Sequence, residues 1–259
     1  MSRLAGLEGI VGPVQGEHYA PGERDAVLEI AEFIAGNYLA TDSFGLIELM
    51  DLSEDIVSRL PATESALDPN AVLDALIGHV ALSGKEGHLI GLGILLDALV
   101  RHYYSQGHNG FLVDATRAAG MNCFLSHVHG EVDNPLRLTY RGGGHLHDFA
   151  PSVSHCDLVF DGSAGWVGAH AQHTTIDVLG ECSHAGFLAT DCSLFVPSLC
   201  QLPFHTGTYP HSTRCKLHVR QPFEMGGEHF QKVATRYFYE NGNSILVPDG
   251  AGSWKEVTP

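Results

Sequence analysis

The sequence predicts an α+β chain in three parts: an N-terminal helical bundle, a parallel β-solenoid with 18-residue coils, and a C-terminal β-hairpin. Three observations carry this. Apolar residues recur at helical spacing as far as about residue 104. Between His155 and Val196 the chain lies nearly in register with itself every 18 residues. Beyond Cys215, short alternating segments are separated by turn residues. The expected boundaries are a flexible Gly- and Pro-rich arm at 1–22, a helical cap domain at 23–110, the solenoid at 111–200 and a β-rich cap at 201–259.

In the helical part, Val27, Ile30, Ala31, Ile34 and Tyr38 form one apolar face. Phe44, Ile47 and Leu52 continue it, with Ser53 expected to cap a short helix that stops before Pro61. Asp68 followed by Pro69 is a helix start, and Val72, Leu73, Leu76, Ile77 and Val80 give that helix its buried stripe. A further helix spans about Glu86 to Tyr104 with Leu89, Leu92, Leu96, Leu99, Val100 and Tyr103 inward. Its Gly87, Gly91 and Gly93 each cost about 1 kcal/mol relative to alanine. They mark either close backbone approach or tolerated glycines.

The grammar changes after the turn SQGHNG (105–110), where Phe111–Ala115 and Cys123–Val128 read as strands. In the repeat, Cys156, Thr174 and Cys192 share a column, as do Leu158, Ile176 and Leu194, and Phe160, Val178 and Val196. Columns two residues apart mean strands with one side inward. Gly144, Gly162 and Gly180 form a glycine column at the bends, followed by Gly168 with Gly186 and Ala171 with Ala189. A strand and a glycine bend at fixed period read as stacked coils. Extended backward, the same frame sets Asn122 and Tyr140 in the column of Leu158, His127 over His145, and His129 over His147. In the tail, CKLHVR (215–220), KVATRYFY (232–239) and SILVP (244–248) read as strands, with ENGN (240–243) as a hairpin turn.

Composition narrows the function classes. The chain carries 30 acidic against 14 basic residues, a formal charge of -16, most of it before residue 111. Nucleic-acid binding needs a basic stripe, and Arg214, Lys216 and Arg220 read only as one solvated strand face. No apolar run approaches the roughly 20 residues of a membrane span, and the first residues lack a signal-peptide core. The six cysteines include no CxxC pair, and Cys156 and Cys192 fall on inward columns. A cytoplasmic, reducing setting is the expectation.

At GSAGWVG (162–168) the chain resembles the glycine-patterned β-solenoid domain of the large glutamate synthase subunit. It is also similar to the solenoid subunit of formylmethanofuran dehydrogenases. Those families repeat G-xx-G-xxx-G; here Gly162, Gly165 and Gly168 are one residue closer, and the next coil has Ser183 in the middle. The resemblance implies a scaffold and transfers no active site.

Chemistry concentrates in the 17 histidines. SHVHGE (126–131) and GHLHDF (144–149) each place two histidines at i and i+2. If stacked at strand spacing, His127, His129, His145 and His147 form a square suited to zinc, nickel or iron, with Glu131 or Asp148 adding a carboxylate. A polar ladder on a solvent face is the competing reading.

FLSHVHG resembles the first metal strand of amidohydrolases, but the 130 residues after His129 read as β and are too few for an eight-stranded barrel. GGGHLHDF resembles the first cupin motif, without the glutamate expected in the span Phe149–Ser152. His155, His173 and Asp191 form an outward column, better read as a ladder than as a cation site. Ser163 and Ser183 lack an identifiable base and acid, and Cys182 beside His184 sits at a bend. Trp166 and Trp254 read as packing residues, and no phosphate-cradling glycine motif precedes a helix. The expected function is therefore a structural or protein-interaction module without catalysis or cofactor, docking a protein partner or another copy of itself. The alternative is a metal-dependent enzyme or metal-binding protein using zinc or iron at the four histidines.

Overall fold

A computed structural model describes residues 23–40, 46–61, 67–84, 86–118, 120–197, 212–221, 239–250 and 252–257. The arm at 1–22 and most of the segment KVATRYFY lie outside the described residues. The chain is α+β: among the described residues, four helices precede a ten-stranded, mostly parallel sheet. Among the described residues, no helix is long and apolar enough to cross a membrane.

The helices are α1 (Glu23–Leu39), α2 (Leu46–Ser58), α3 (Pro69–Ser83) and α4 (Glu86–Ser105). The Asp68 carboxylate accepts from the Asn70 N–H at 3.0 Å, and Gly84 closes α3 in the left-handed region at φ 64°. Ser53 corrects an expectation: it lies inside α2 and donates to the Leu49 carbonyl at 2.7 Å instead of capping an end. Two helical glycines have a packing reason. A Cβ on Gly91 would press on the Tyr38 hydroxyl, and one on Gly93 would overlap the Cys123 carbonyl oxygen. Alpha-4 thus lies with its backbone against the chain that enters the sheet.

The strands are β1 (Gly110–Ala115), β2 (Cys123–Phe124), β3 (Leu136–Phe149), β4 (Cys156–Val167), β5 (Thr175–Val178), β6 (Glu181–Ala185), β7 (Ser193–Val196), β8 (Lys216–Val219), β9 (Ser244–Pro248) and β10 (Trp254–Val257). All pairs are parallel except β9 with β10. The main path runs β1-β3-β4-β5-β7-β8-β9-β10, while β2 pairs with β3 and β6 with β4. The long strands β3 and β4 pair with each other along their length, and each takes two shorter neighbours on its other side, one with each half.

The pairing carries one inward column through six strands: Leu138, Leu158, Ile176, Leu194, Leu217 and Ile245, all buried. Tyr140, Phe149 and Phe160 pack beneath it with Phe124, the Phe149 and Phe160 rings 4.5 Å apart. At the sheet's first edge, Asn70 of α3 accepts the Leu112 N–H at 2.7 Å, so the helical layer closes a backbone donor there.

The backward extension of the frame is corrected by the register. Leu138 pairs with Leu158 and Tyr140 with Phe160, a step of two residues more than expected, and Asn122 faces the Asp148 end of β3. The cause is local. Between Arg141 and His145, β3 holds Gly142, Gly143 and Gly144, where β4 holds Gly162 alone. The two extra residues form a bulge, and a Cβ on Gly143 would overlap the Thr116 carbonyl. Beyond the bulge His145 pairs with Ser163 and the expected offset returns.

The tail differs too. The hairpin joins β9 to β10, with the Asp249 carboxylate accepting the Ser253 N–H at 3.0 Å. The ENGN segment forms a turn in which Gly242 N–H donates to the Tyr239 carbonyl at 2.9 Å, leading into β9, which pairs parallel with β8.

Candidate functional site

The four histidines singled out by the sequence are placed on separate contacts. His129 bridges to Ser154 and its Nδ1 lies 2.9 Å from the Ser154 hydroxyl. His127 is exposed, its N–H donating to the Pro151 carbonyl at 3.0 Å, and its backbone is left-handed at φ 55°. His145 Nδ1 lies 2.8 Å from the Ser163 hydroxyl on the next strand, and His147 Nδ1 lies 2.7 Å from Asp148 Oδ2. The reason is the register. Cys123 pairs with Asp148 and Phe124 with Phe149, so His127 and His129 run on past the end of β3.

Two places gather chemistry. The first is an open groove of about 460 Å³ at the glycine bulge, lined by Thr116, Arg141, His145, Asp161, Ser163 and Glu181 with the bulge glycines. Its His145–Ser163 pair supplies the base that Ser163 lacked in the sequence. A histidine over a serine also recurs at His129–Ser154, which marks both pairs as contacts between neighbouring strands.

The second place is the meeting of Cys123, His147 and Asp148, one ligand atom from each lying within 4.8 Å of the others. Sequence reasoning missed Cys123 here, and strand alternation would send His147 and Asp148 to opposite sides. In β3, however, Leu146 and Phe149 both turn inward, so the two residues between them both reach outward. The Asn122 carbonyl accepts from both the His147 N–H at 2.6 Å and the Asp148 N–H at 3.4 Å, which holds that break. Cys123 Sγ is 3.7 Å from Asp148 Oδ2. Burial, followed by the neighbouring Asp148 charge, pushes the Cys123 thiol up to about 11. Behind this cluster, Asp97 of α4 is buried and accepts the N–H groups of Leu125 at 2.5 Å and Ser126 at 2.9 Å.

The outward column His155, His173 and Asp191 is continued by Arg214, which sequence reasoning placed on a plain solvated face. The two imidazoles stack with ring centroids 5.0 Å apart, His173 lies 3.8 Å from Asp191, and Arg214 grips Asp191 with two bonds of 2.6 Å. The arrangement is a ladder of stacked and paired groups. Arg220, from the same expected face, instead pairs with the buried Asp177 and donates to the Val178 carbonyl at 3.0 Å.

His218, between Lys216 and Arg220 on that side, is buried against the Phe195 ring at 4.1 Å and the Trp254 edge at 4.8 Å. Burial, helped by the charges of Lys216 and Arg220, lowers its pKa to about 4. The unfolded chain, with the ordinary value of 6.5, takes up this proton first as pH falls. Stability is therefore lost as pH falls from 6.5 to 4, by on the order of 3 kcal/mol. His218→Phe is expected to remove that slope, read from urea midpoints across the interval.

The chain matches no family model, no curated protein and no solved structure.

Proposed function

We propose that the chain is a structural or protein-interaction module, a short parallel β-solenoid with 18-residue coils capped by the helical bundle. The observation that carries this reading is the recurrence of left-handed corners at matching places of successive turns. Ala150, Gly168 and Gly186 have positive φ, as do Ser152, His170 and Leu188, and as do His155, His173, Asp191 and Arg214. A left-handed non-glycine residue costs roughly 1–2 kcal/mol. Such corners recur in step only where the stacked neighbours impose the same bend. The bridges Ser154–Gln172 and Gln172–Thr190 add a third row beside the two strand rows of each turn. The resemblance to the glutamate synthase solenoid domain supports the same reading and suggests a scaffold role.

A scaffold of this kind displays side chains in rows at strand spacing. The half-exposed row of Trp166 and His184, with Phe187 5.2 Å from the tryptophan ring and exposed His170 beside it, is the display face. Aromatic side chains anchor protein contacts well. The charge of -16 favours a partner with a basic surface, with a second copy as the other occupant.

Two experiments test the reading. Inserting a second copy of residues 157–174 directly after Thr174 should leave a cooperatively folded chain, because a whole coil is added. An insertion of half that length should not fold. If both insertions collapse alike, the solenoid reading is wrong. A photo-crosslinking residue at position 170 should capture a protein adduct whose yield falls with salt; a face that captures nothing ends the display reading.

A further inference from the structure

We propose that Cys123, His147 and Asp148 bind one divalent cation of the zinc class, with a fourth coordination position open to water. This site is separate from the display face and does not depend on the solenoid reading.

The donor set selects the ion. A thiolate with an imidazole and a carboxylate suits a borderline metal such as Zn²⁺, whereas Mg²⁺ and Ca²⁺ prefer oxygen ligands alone. Among the described cysteines, Cys123 is the one that is not buried.

The geometry is close to what the ion needs. Tetrahedral zinc with ordinary bond lengths separates its ligand atoms by roughly 3.4–3.6 Å. The Cys123 Sγ to Asp148 Oδ2 separation is already 3.7 Å. The His147 Nδ1 to Asp148 Oδ2 distance, 2.7 Å, must widen by about 0.7 Å to meet that spacing. The His147 side chain is 66% exposed and has room to swing.

Two features fix the site before an ion arrives. The Gly93 backbone of α4 lies against the Cys123 carbonyl, and Asp97 holds the N–H groups of Leu125 and Ser126, so β2 is clamped from behind. On β3, the Asn122 carbonyl ties the N–H groups of His147 and Asp148 and keeps both side chains outward. Rigid support of this sort lowers the ordering cost of ligation.

In the metal-free site one carboxylate oxygen of Asp148 faces both the thiol and the imidazole nitrogen. On binding, the S–H bond is replaced by a metal–sulfur bond and the thiol proton leaves to solvent, while the Nδ1 proton that His147 gives to Asp148 moves to Nε2, so that the Nδ1 lone pair can ligate. The exchange needs no oxidant or reductant.

The test uses the full chain, reduced and treated with chelator, titrated with Co²⁺. One Co²⁺ per chain should bind with a thiolate-to-cobalt charge-transfer band and the visible bands of tetrahedral cobalt. Zn²⁺ should displace it, and Mg²⁺ should not. Cys123→Ser should abolish the charge-transfer band, and His147→Ala should weaken binding roughly ten-fold or more. Glu131→Gln should bind as wild type does. Circular dichroism checks that the serine variant is folded; if it is not, the exposed His147 position carries the test. Absence of a thiolate band in the wild type, a band that survives Cys123→Ser, or unchanged affinity in His147→Ala would overturn the site. The coil insertions read the scaffold separately, so either proposal can fail while the other stands.

Discussion

Ile176→Asp is expected to cost on the order of 6 kcal/mol and to leave the chain largely unfolded at neutral pH. Ile176 is fully buried and sits in register between Leu158 and Leu194, in the middle of the inward column. The corner at Gly168 closes over it so tightly that a Cβ there would overlap the isoleucine Cδ1. Two losses add. Removing a buried isoleucine side chain forfeits about 2–3 kcal/mol of transfer free energy. The new carboxyl has no partner there, and it must either stay charged in an apolar layer or take a proton well above its ordinary pKa. Keeping it protonated at pH 7 costs about 4 kcal/mol. Thr175→Asp, one residue away on the half-exposed side, should change stability by less than about 1 kcal/mol. Urea denaturation of the pair is the measurement. Similar midpoints for Ile176→Asp and wild type would show that the column does not face inward.

The forward half of the sheet was legible because its inward residues keep their apolar character at a constant offset. Leu158, Ile176 and Leu194 are such a set, and so are Phe160, Val178 and Val196. The backward half was misread because Gly142, Gly143 and Gly144 look like an ordinary bend. A single glycine column through Gly144 gives the right pairing after the bulge and the wrong one before it. The histidine square failed for a related reason, since the chain from Leu125 to Asn134 lengthens that turn and carries His127 and His129 away from β3. The Cys123, His147 and Asp148 cluster was only half visible. His147 and Asp148 drew notice as metal ligands, but their shared side of the strand depends on a distant carbonyl, Asn122, that no local pattern encodes. Asp97 gave no signal at all, being one acid in a helix whose partners lie some thirty positions on.

Asp97→Ala is the second large effect, about 3 kcal/mol at pH 5. Its cause is the loss of an acceptor for two backbone N–H groups, Leu125 and Ser126, each costing roughly 1–3 kcal/mol when left unpaired. Those donors belong to a chain with left-handed residues at Leu125 and His127, a shape with little reason to persist once the carboxylate is gone. An opposing contribution comes from the carboxyl itself. Burial raises its pKa from 3.8 to about 8, against the pull of the two N–H groups and the Arg101 charge. A folded pKa above the unfolded one means that the associated stability is complete below pH 3.8 and is lost as pH rises through 8. The gap between wild type and Asp97→Ala should therefore shrink steadily from pH 4 to 8. His218 slopes the other way between pH 4 and 6.5, so the two contributions oppose each other there and the metal-free wild type should vary little. Above pH 6.5, of these two contributions, the Asp97 slope remains, and stability should fall. In His218→Phe the decline should instead run unbroken from pH 4 to 8. A gap that stays constant with pH would mean that Asp97 remains ionised throughout. The two backbone donors would then outweigh the cost of burying the charge.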